Sequence, residues 1–261
     1  MIFAAGLGTR LKPITDTLPK ALVPVCGQPL IGHVAHKLMD SGIDEAVVNV
    51  HHFADKIEDW IAEQDWICTN VQDKAPGKML IQVSDERKSL LETGGAVLHA
   101  RPYLEGCGHF LIHNVDIFSN CDIPWFQSQV REDAVATLLV SDRKTSRYLL
   151  FDPETMRLVG WTNVSTGEVR SPYPDLDMTK CLKLAFSGIH IMSDTVFVAL
   201  EEYVHEKCEG VSAPRFPIMD FYLTLCAEYK IYGVKAEALH LVDVGKLDTI
   251  EVAEREILRL T

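Results

Sequence analysis

The sequence predicts an α/β protein with a doubly wound, mostly parallel sheet and a small inserted β-hairpin region. Three observations predict it. Short apolar runs alternate with stretches of helical periodicity through the first half of the chain. Glycines and turn residues punctuate the junctions between them. Past residue 140 the pattern changes to paired apolar runs separated by turn residues, as in antiparallel arms.

The elements follow in order. Ile2-Phe-Ala-Ala5 is a short buried strand that runs straight into Gly6-Leu-Gly8-Thr-Arg10. Leu30 to Ser41 carries Ile31, Val34, Ala35, Leu38 and Met39 at helical spacing, and Gly42 stops it. Glu45 to Val50 is a strand, Ala54 to Glu63 a helix, and Met79 to Val83 a strand. Gly94 to Arg101 reads as a short helix. Phe110 to Val115 and Ala134 to Ser141 are further strands. Tyr148–Phe151 and Met156–Trp161 are the arms of a hairpin, with Asp152-Pro-Glu-Thr155 between them. Leu182 to Met192 is a strand. Thr195 to Tyr203 and Ile218 to Lys230 are helices, Ile231 to Val234 and Ala238 to Val242 short strands, and Asp248 to Leu260 a closing helix. No linker or repeat separates the halves. Residues 1–261 therefore read as a single domain, with the hairpin insertion at about 143–180 covering the sheet's open edge.

Composition narrows the function classes. The 261 residues carry a formal net charge of −12. That argues against nucleic acid as a partner, because a phosphate backbone needs a Lys/Arg surface. A small phosphorylated ligand needs only a few local cations and backbone N–H groups. No apolar run reaches the roughly 18 residues of a membrane span, so no membrane partner is expected. The seven cysteines are scattered without a CxxC pair, which reads as free thiols in a cytoplasmic protein. A monomer or small homo-oligomer is expected.

The ligand of such a sheet sits beyond the carboxyl ends of its strands. Two features fall there. The first is Gly6-Leu-Gly8, whose small residues let backbone N–H groups close on an anion. Arg10 can grip phosphate oxygens bidentately, and Lys20 adds a point charge. A GxG pair alone is equally a plain turn. It is not a dinucleotide fingerprint, because position 11 is Leu, and no Walker loop occurs. The second feature is a carboxylate at each of two strand ends, Asp116 and Asp243. Either could be a turn or cap residue.

The wider stretch from Phe3 to Leu30 resembles the signature of the sugar-1-phosphate nucleotidyltransferases: A-A-G-x-G-T-R-x-x-P-x-T, then P-K, then P-V-x-G-x-P. The resemblance implies a Rossmann-like fold and an Mg²⁺-dependent reaction. In it a sugar-1-phosphate attacks the α-phosphorus of a nucleoside triphosphate and pyrophosphate leaves. It implies that Arg10, Lys20 and Asp116 are catalytic and that Asp116 and Asp243 hold the metal. It further implies that Ala4, Ala5, Gly6, Gly8 and Thr9 bind the nucleotide. The pattern departs at Val115, where glycine is usual, and at Lys246, where a hydroxyl is usual.

Leu90-Leu-Glu92-Thr-Gly94-Gly95 resembles the family's base-recognition segment, which brings in Glu92 and Gly94. Its wording is most similar to N-acetylmuramate-1-phosphate uridylyltransferases of cell-wall recycling and favours UTP. Phe186-Ser-Gly188 resembles the strand against which the sugar lies, and Asn114 is a further candidate for the sugar. The family's E-K-P segment is missing; Asn163 in that region could bond a sugar hydroxyl. Alternatives within the reaction type are mannose-1-phosphate guanylyltransferase, glucose-1-phosphate thymidylyltransferase and phosphocholine cytidylyltransferase. An inactive nucleotide-sensing subunit is the alternative of another class. The adjacent His51 and His52 point apart and do not suggest a metal pair.

Overall fold

The computed structural model describes residues 1–208, 213–245 and 250–260; Lys246 lies outside the described residues. The chain divides into two compact units. The first comprises Met1–Glu92, His113–Ile123 and His240–Thr261, and the second Thr93–Ile112 and Pro124–Leu239. The architecture is mixed α/β with a large, mostly parallel central sheet, as the alternation predicts.

In the first unit, β1 (Ile2–Phe3) is flanked on both sides by parallel strands. Ile2 lies opposite Val48 of β4 (Glu45–Val50) and opposite His113 of β7 (His109–Asn114). The parallel ladder continues from β4 to β6 (Met79–Asp85) and then to β5 (Ile67–Cys68). A short hairpin, β2 (Pro24–Val25) with β3 (Gln28–Pro29), precedes helix α1 (Leu30–Asp40). Helix α2 (Ala54–Glu63) follows β4. A second small ladder pairs β8 (Ile117–Ser119) with β15 (Leu241–Asp243), and α8 (Ile250–Leu260) follows.

α1 shows how pattern becomes packing. Leu30, Ile31, Val34, Ala35 and Leu38 are all buried, the stripe expected of a helix with one face on a sheet. Each large aliphatic side chain contributes roughly 1.5–3 kcal/mol on burial. The helix stops where Gly42 donates to Met39 O and Ile43 N–H donates to Leu38 O at 2.9 Å, the 6→1 bond of a Schellman cap.

In the second unit, β13 (Leu182–Ser193) runs antiparallel to β9 (Ala136–Ser141) and to β10 (Arg147–Phe151). β10 pairs with β11 (Leu158–Asn163), and β11 with β12 (Glu168–Arg170). The hairpin therefore extends the sheet by adding strands beside β13. β14 (Ile231–Lys235) pairs parallel with β9. Among the described residues, the remaining α-helices are α3 (Glu92–His99), α4 (Arg101–Leu104), α5 (Ile123–Ser128), α6 (Val196–Lys207) and α7 (Ile218–Leu225).

The helix expected to reach Lys230 ends at Leu225. Both Glu228 and Tyr229 N–H groups fall back on Leu225 O, turning the chain into β14. All seven cysteines are free thiols. Among the described residues, no helix is long and apolar enough to cross a membrane.

Candidate active site

The strand order of the first unit reverses at β1, because the chain passes from β1 to β4 on one side and later places β7 on the other. Such a switch point leaves a crevice beyond the strand ends. The Gly6–Gly8 loop leaves β1 there, and Asp116 follows β7 there.

Ala4 and Ala5 are buried, and the Ala4 N–H is held by Asn49 Oδ1 at 2.8 Å. Beyond them the loop emerges: Gly6, Thr9 and Arg10 are exposed. The two glycines are small for different reasons. Gly8 has φ +63°, and a β-carbon on it would lie 2.8 Å from Thr15 Cγ2. Its carbonyl accepts from Thr15 Oγ1 at 2.8 Å and from Leu11 N at 2.8 Å, so the turn into Thr9–Leu11 is tightly packed. A β-carbon on Gly6 would meet no protein atom within 4 Å. The protein itself does not require glycine there, and the backbone stands open to a ligand.

Two cation–carboxylate arrangements sit beyond the loop. Lys20 Nζ bonds Asp116 Oδ2, with the two side chains only 12% and 15% exposed. Asp243 is brought next to Asp116 by the β8–β15 ladder: it lies opposite Ile117, and Val244 N–H donates to Asp116 O at 2.9 Å. Arg10 comes to the same place. A β-carbon on Gly245 would lie 2.6 Å from Asp243 Oδ1 and 2.7 Å from Arg10 Nη2. The guanidinium and the carboxylate thus share the space over the Gly245 α-carbon. Lys37 Nζ anchors the residues after β7, donating to Ser119 O at 2.9 Å and Cys121 O at 3.0 Å. Burial pushes its ammonium below the usual lysine range, partly offset by the charges of Cys121, Asp122 and Asp40.

Asn114 ends β7 opposite Phe3, half-buried. Glu92 opens α3 with φ +59°, a left-handed conformation that costs a non-glycine residue of order 1 kcal/mol or more.

The remaining three expected site residues belong to the second unit. Gly94 is buried, its N–H donating to Phe216 O at 2.8 Å, and a β-carbon there would lie 2.3 Å from the Phe216 ring. Its smallness is spent on that packing. Thr93 Oγ1 accepts from Ile218 N–H at 2.8 Å, so it serves the start of α7. Asn163 closes the β11–β12 turn, its side-chain oxygen accepting from Ser165 N–H at 3.0 Å. Gly188, with φ +81°, sits where the β13–β9 register shifts between Phe186 and His190, a bulge that turns the backbone.

Two residues of this arrangement, Asn49 and Lys37, are not picked out by the sequence as site residues. Asn49 carries the plainest signal, as an amide inside the apolar run Ala46-Val-Val-Asn-Val50. Lys37 shows only as a lysine at the end of an amphipathic helix.

Known proteins resemble this chain in sequence and fold. The nucleotidyl transferase family model matches residues 1–151. An N-acetylmuramate alpha-1-phosphate uridylyltransferase of Caulobacter vibrioides is 32% identical over 244 residues, covering 92% of this chain and 88% of that protein. A UDP-glucose pyrophosphorylase, solved with UDP-glucose, superposes with a TM-score of 0.71 at 17% identity, covering 100% of this chain and 98% of that one. A CTP:phosphocholine cytidylyltransferase from Streptococcus pneumoniae superposes with a TM-score of 0.66 at 17% identity, covering 98% and 97%. At such identities the two structures speak for the fold alone. With more than half its length matched by the family model, and a full-length relative above 30% identity, this chain belongs to the nucleotidyl transferase family and is an enzyme of that type.

Proposed function

We propose that the enzyme transfers a uridylyl group from UTP to a sugar-1-phosphate, with N-acetylmuramate 1-phosphate as the preferred acceptor. The observation that carries the reaction type is the gathering of Arg10, Lys20, Asp116 and Asp243 beside an open glycine loop in one unit. The uridine and N-acetylmuramate preferences rest on the Leu90–Gly95 segment and on the relative from Caulobacter.

In the reaction a phosphate oxygen of the acceptor forms a bond to the α-phosphorus. The bond from that phosphorus to the β-phosphate oxygen breaks, and pyrophosphate leaves. Phosphoryl-group chemistry of this kind is accelerated by positioning and charge stabilisation. The open N–H groups around Gly6 and Thr9 face the phosphates. Arg10, close to Asp243, supplies a planar pair of donors for phosphate oxygens. Lys20 supplies a point charge held in place by Asp116.

Asp116 and Asp243 suit Mg²⁺: both present hard carboxylate oxygens, and the β8–β15 ladder puts them at adjacent positions. When bound there, the ion would neutralise the charge that develops on the reacting phosphate oxygens. Asn114, Asn163 and Gly188 are each candidates for the sugar on the resemblance alone. Seven free thiols suit a cytoplasmic setting.

A panel of UTP, CTP, GTP and dTTP against N-acetylmuramate, glucose and mannose 1-phosphates and phosphocholine, read by pyrophosphate release, tests the proposal. The fastest turnover is expected for UTP with N-acetylmuramate 1-phosphate. A different best pair would reassign the substrate, and silence across the panel would remove the enzymatic reading.

A further inference from the structure

A buried polar relay joins the two segments assigned to the nucleotide. Ala4 N–H donates to Asn49 Oδ1 at 2.8 Å. Asn49 Nδ2 donates to Glu86 Oε1 at 2.8 Å. Glu86 Oε2 accepts from Leu91 N–H at 3.1 Å. Asn49 is 3% exposed and Glu86 2%. The backbone of Glu86 is itself fixed, its N–H on Val50 O at 2.8 Å and its carbonyl 2.7 Å from His51 Nδ1. All of these residues lie in the first unit.

A carboxylate this deep is costly unless it is well hydrogen-bonded. Its use lies in being acceptor-only, so that each oxygen can take a donor from a different side. One oxygen takes the Asn49 amide and the other takes the Leu91 backbone. The outer ends of the relay are both main-chain N–H groups. Ala4 opens the glycine loop; Leu91 immediately precedes Glu92. The relay therefore sets the spacing between the loop and the turn at 90–92.

We propose that Glu86, acting through Asn49, is a positioning residue for nucleotide selection in this enzyme. It touches no substrate. It holds the phosphate-facing loop and the base-facing turn at one separation, so that triphosphate affinity and base preference depend on it while acceptor binding does not. The inference rests on the uridylyltransferase reading.

The donor–acceptor order of the relay supplies the test. Glu86→Gln leaves one acceptor for two donors and sets an amide against an amide. Asn49→Asp sets a carboxylate against a carboxylate. In the double variant Asn49→Asp/Glu86→Gln the central bond is reversed: Asp accepts from Ala4 N–H and from the Gln amide, and the Gln oxygen accepts from Leu91 N–H. Each single variant is expected to raise KM for UTP about tenfold, the effect of one broken buried hydrogen bond. Each is also expected to flatten the UTP-to-CTP ratio of kcat/KM, with KM for N-acetylmuramate 1-phosphate within about twofold of wild type. Amide exchange is expected to quicken at Ala4 or Leu91. The double variant is expected to return both readouts to within about threefold of wild type.

An active wild-type enzyme whose single variants keep their UTP KM and base ratio overturns the positioning role alone. A wild-type enzyme inactive with the whole panel overturns the functional reading first, and the role with it. Should either single variant fail to fold, the double variant decides: folded and UTP-selective supports the relay, and unfolded or unselective overturns it.

Discussion

Arg10 and Asp243 meet over the α-carbon of Gly245, where a β-carbon would approach both within 2.7 Å. The first charged group of the site and the last are thus held at one point by the lack of a side chain. Gly245→Ala is expected to force the guanidinium and the carboxylate apart. kcat should fall at least tenfold while KM for the acceptor changes little. Steady-state kinetics with a thermal melt will separate this from unfolding: the loss of kcat is expected in protein that still melts cooperatively.

Removing either member of the Lys20–Asp116 pair should be severe. Lys20→Ala takes away a positive charge near the phosphates, and Asp116→Asn weakens the carboxylate pair assigned to Mg²⁺. Each should lower kcat by about 100-fold or more, in the range of lost charge-stabilising groups. Asp116→Asn should also need a higher Mg²⁺ concentration for half-maximal rate. An unchanged Mg²⁺ dependence would take Asp116 out of the metal site.

The two loop glycines should behave oppositely. Gly8→Ala places a β-carbon against Thr15 at a positive φ, and is expected to cost about 1–3 kcal/mol of stability in chemical denaturation. Gly6→Ala meets nothing in the protein and should leave stability within about 0.5 kcal/mol. Its cost should appear in KM for the triphosphate.

Stability should fall on the acid side through His190. Burial pushes its imidazole down to about 3. Its Nδ1 lies 2.9 Å from Tyr222 Oη. The unfolded chain protonates this histidine near its ordinary value of about 6.5, whereas the folded chain resists. Stability is therefore full above about 6.5 and is lost as pH falls toward 3, by roughly 1.4 kcal/mol per pH unit. Urea titrations of wild type and His190→Gln at several pH values will check it; the variant should show the shallower loss.

How much of this was legible depended on which link a residue serves. The α1 stripe from Leu30 to Leu38 and the Gly42 stop are local, so spacing revealed them. The strand at Glu45–Val50 likewise shows in its own composition. Arg10 and Lys20 were visible because a contiguous signature carries them, and Asp116 because it ends an apolar strand where the resemblance implies a carboxylate. Residues that act across the chain left almost no trace. Asn49 and Glu86 are 37 positions apart and acquire a purpose only when β4 and β6 lie side by side. Gly94 looked like part of a recognition loop, yet its smallness answers to Phe216, more than a hundred residues later. The end of α7 at Leu225 was likewise hidden, because the residues beyond it still read as helix formers.

The first unit is built from three stretches of chain, and Asp243 arrives with the third. Its small ladder with β8 cannot form until residues beyond 239 have left the ribosome. A nascent chain that already holds the glycine loop, Lys20 and Asp116 thus lacks the proposed second carboxylate for the seconds that synthesis of the intervening residues takes at about 5–20 residues per second. Premature release anywhere in that interval yields a fragment with half of the acidic pair proposed for Mg²⁺, and on that proposal such a fragment is expected to be inactive.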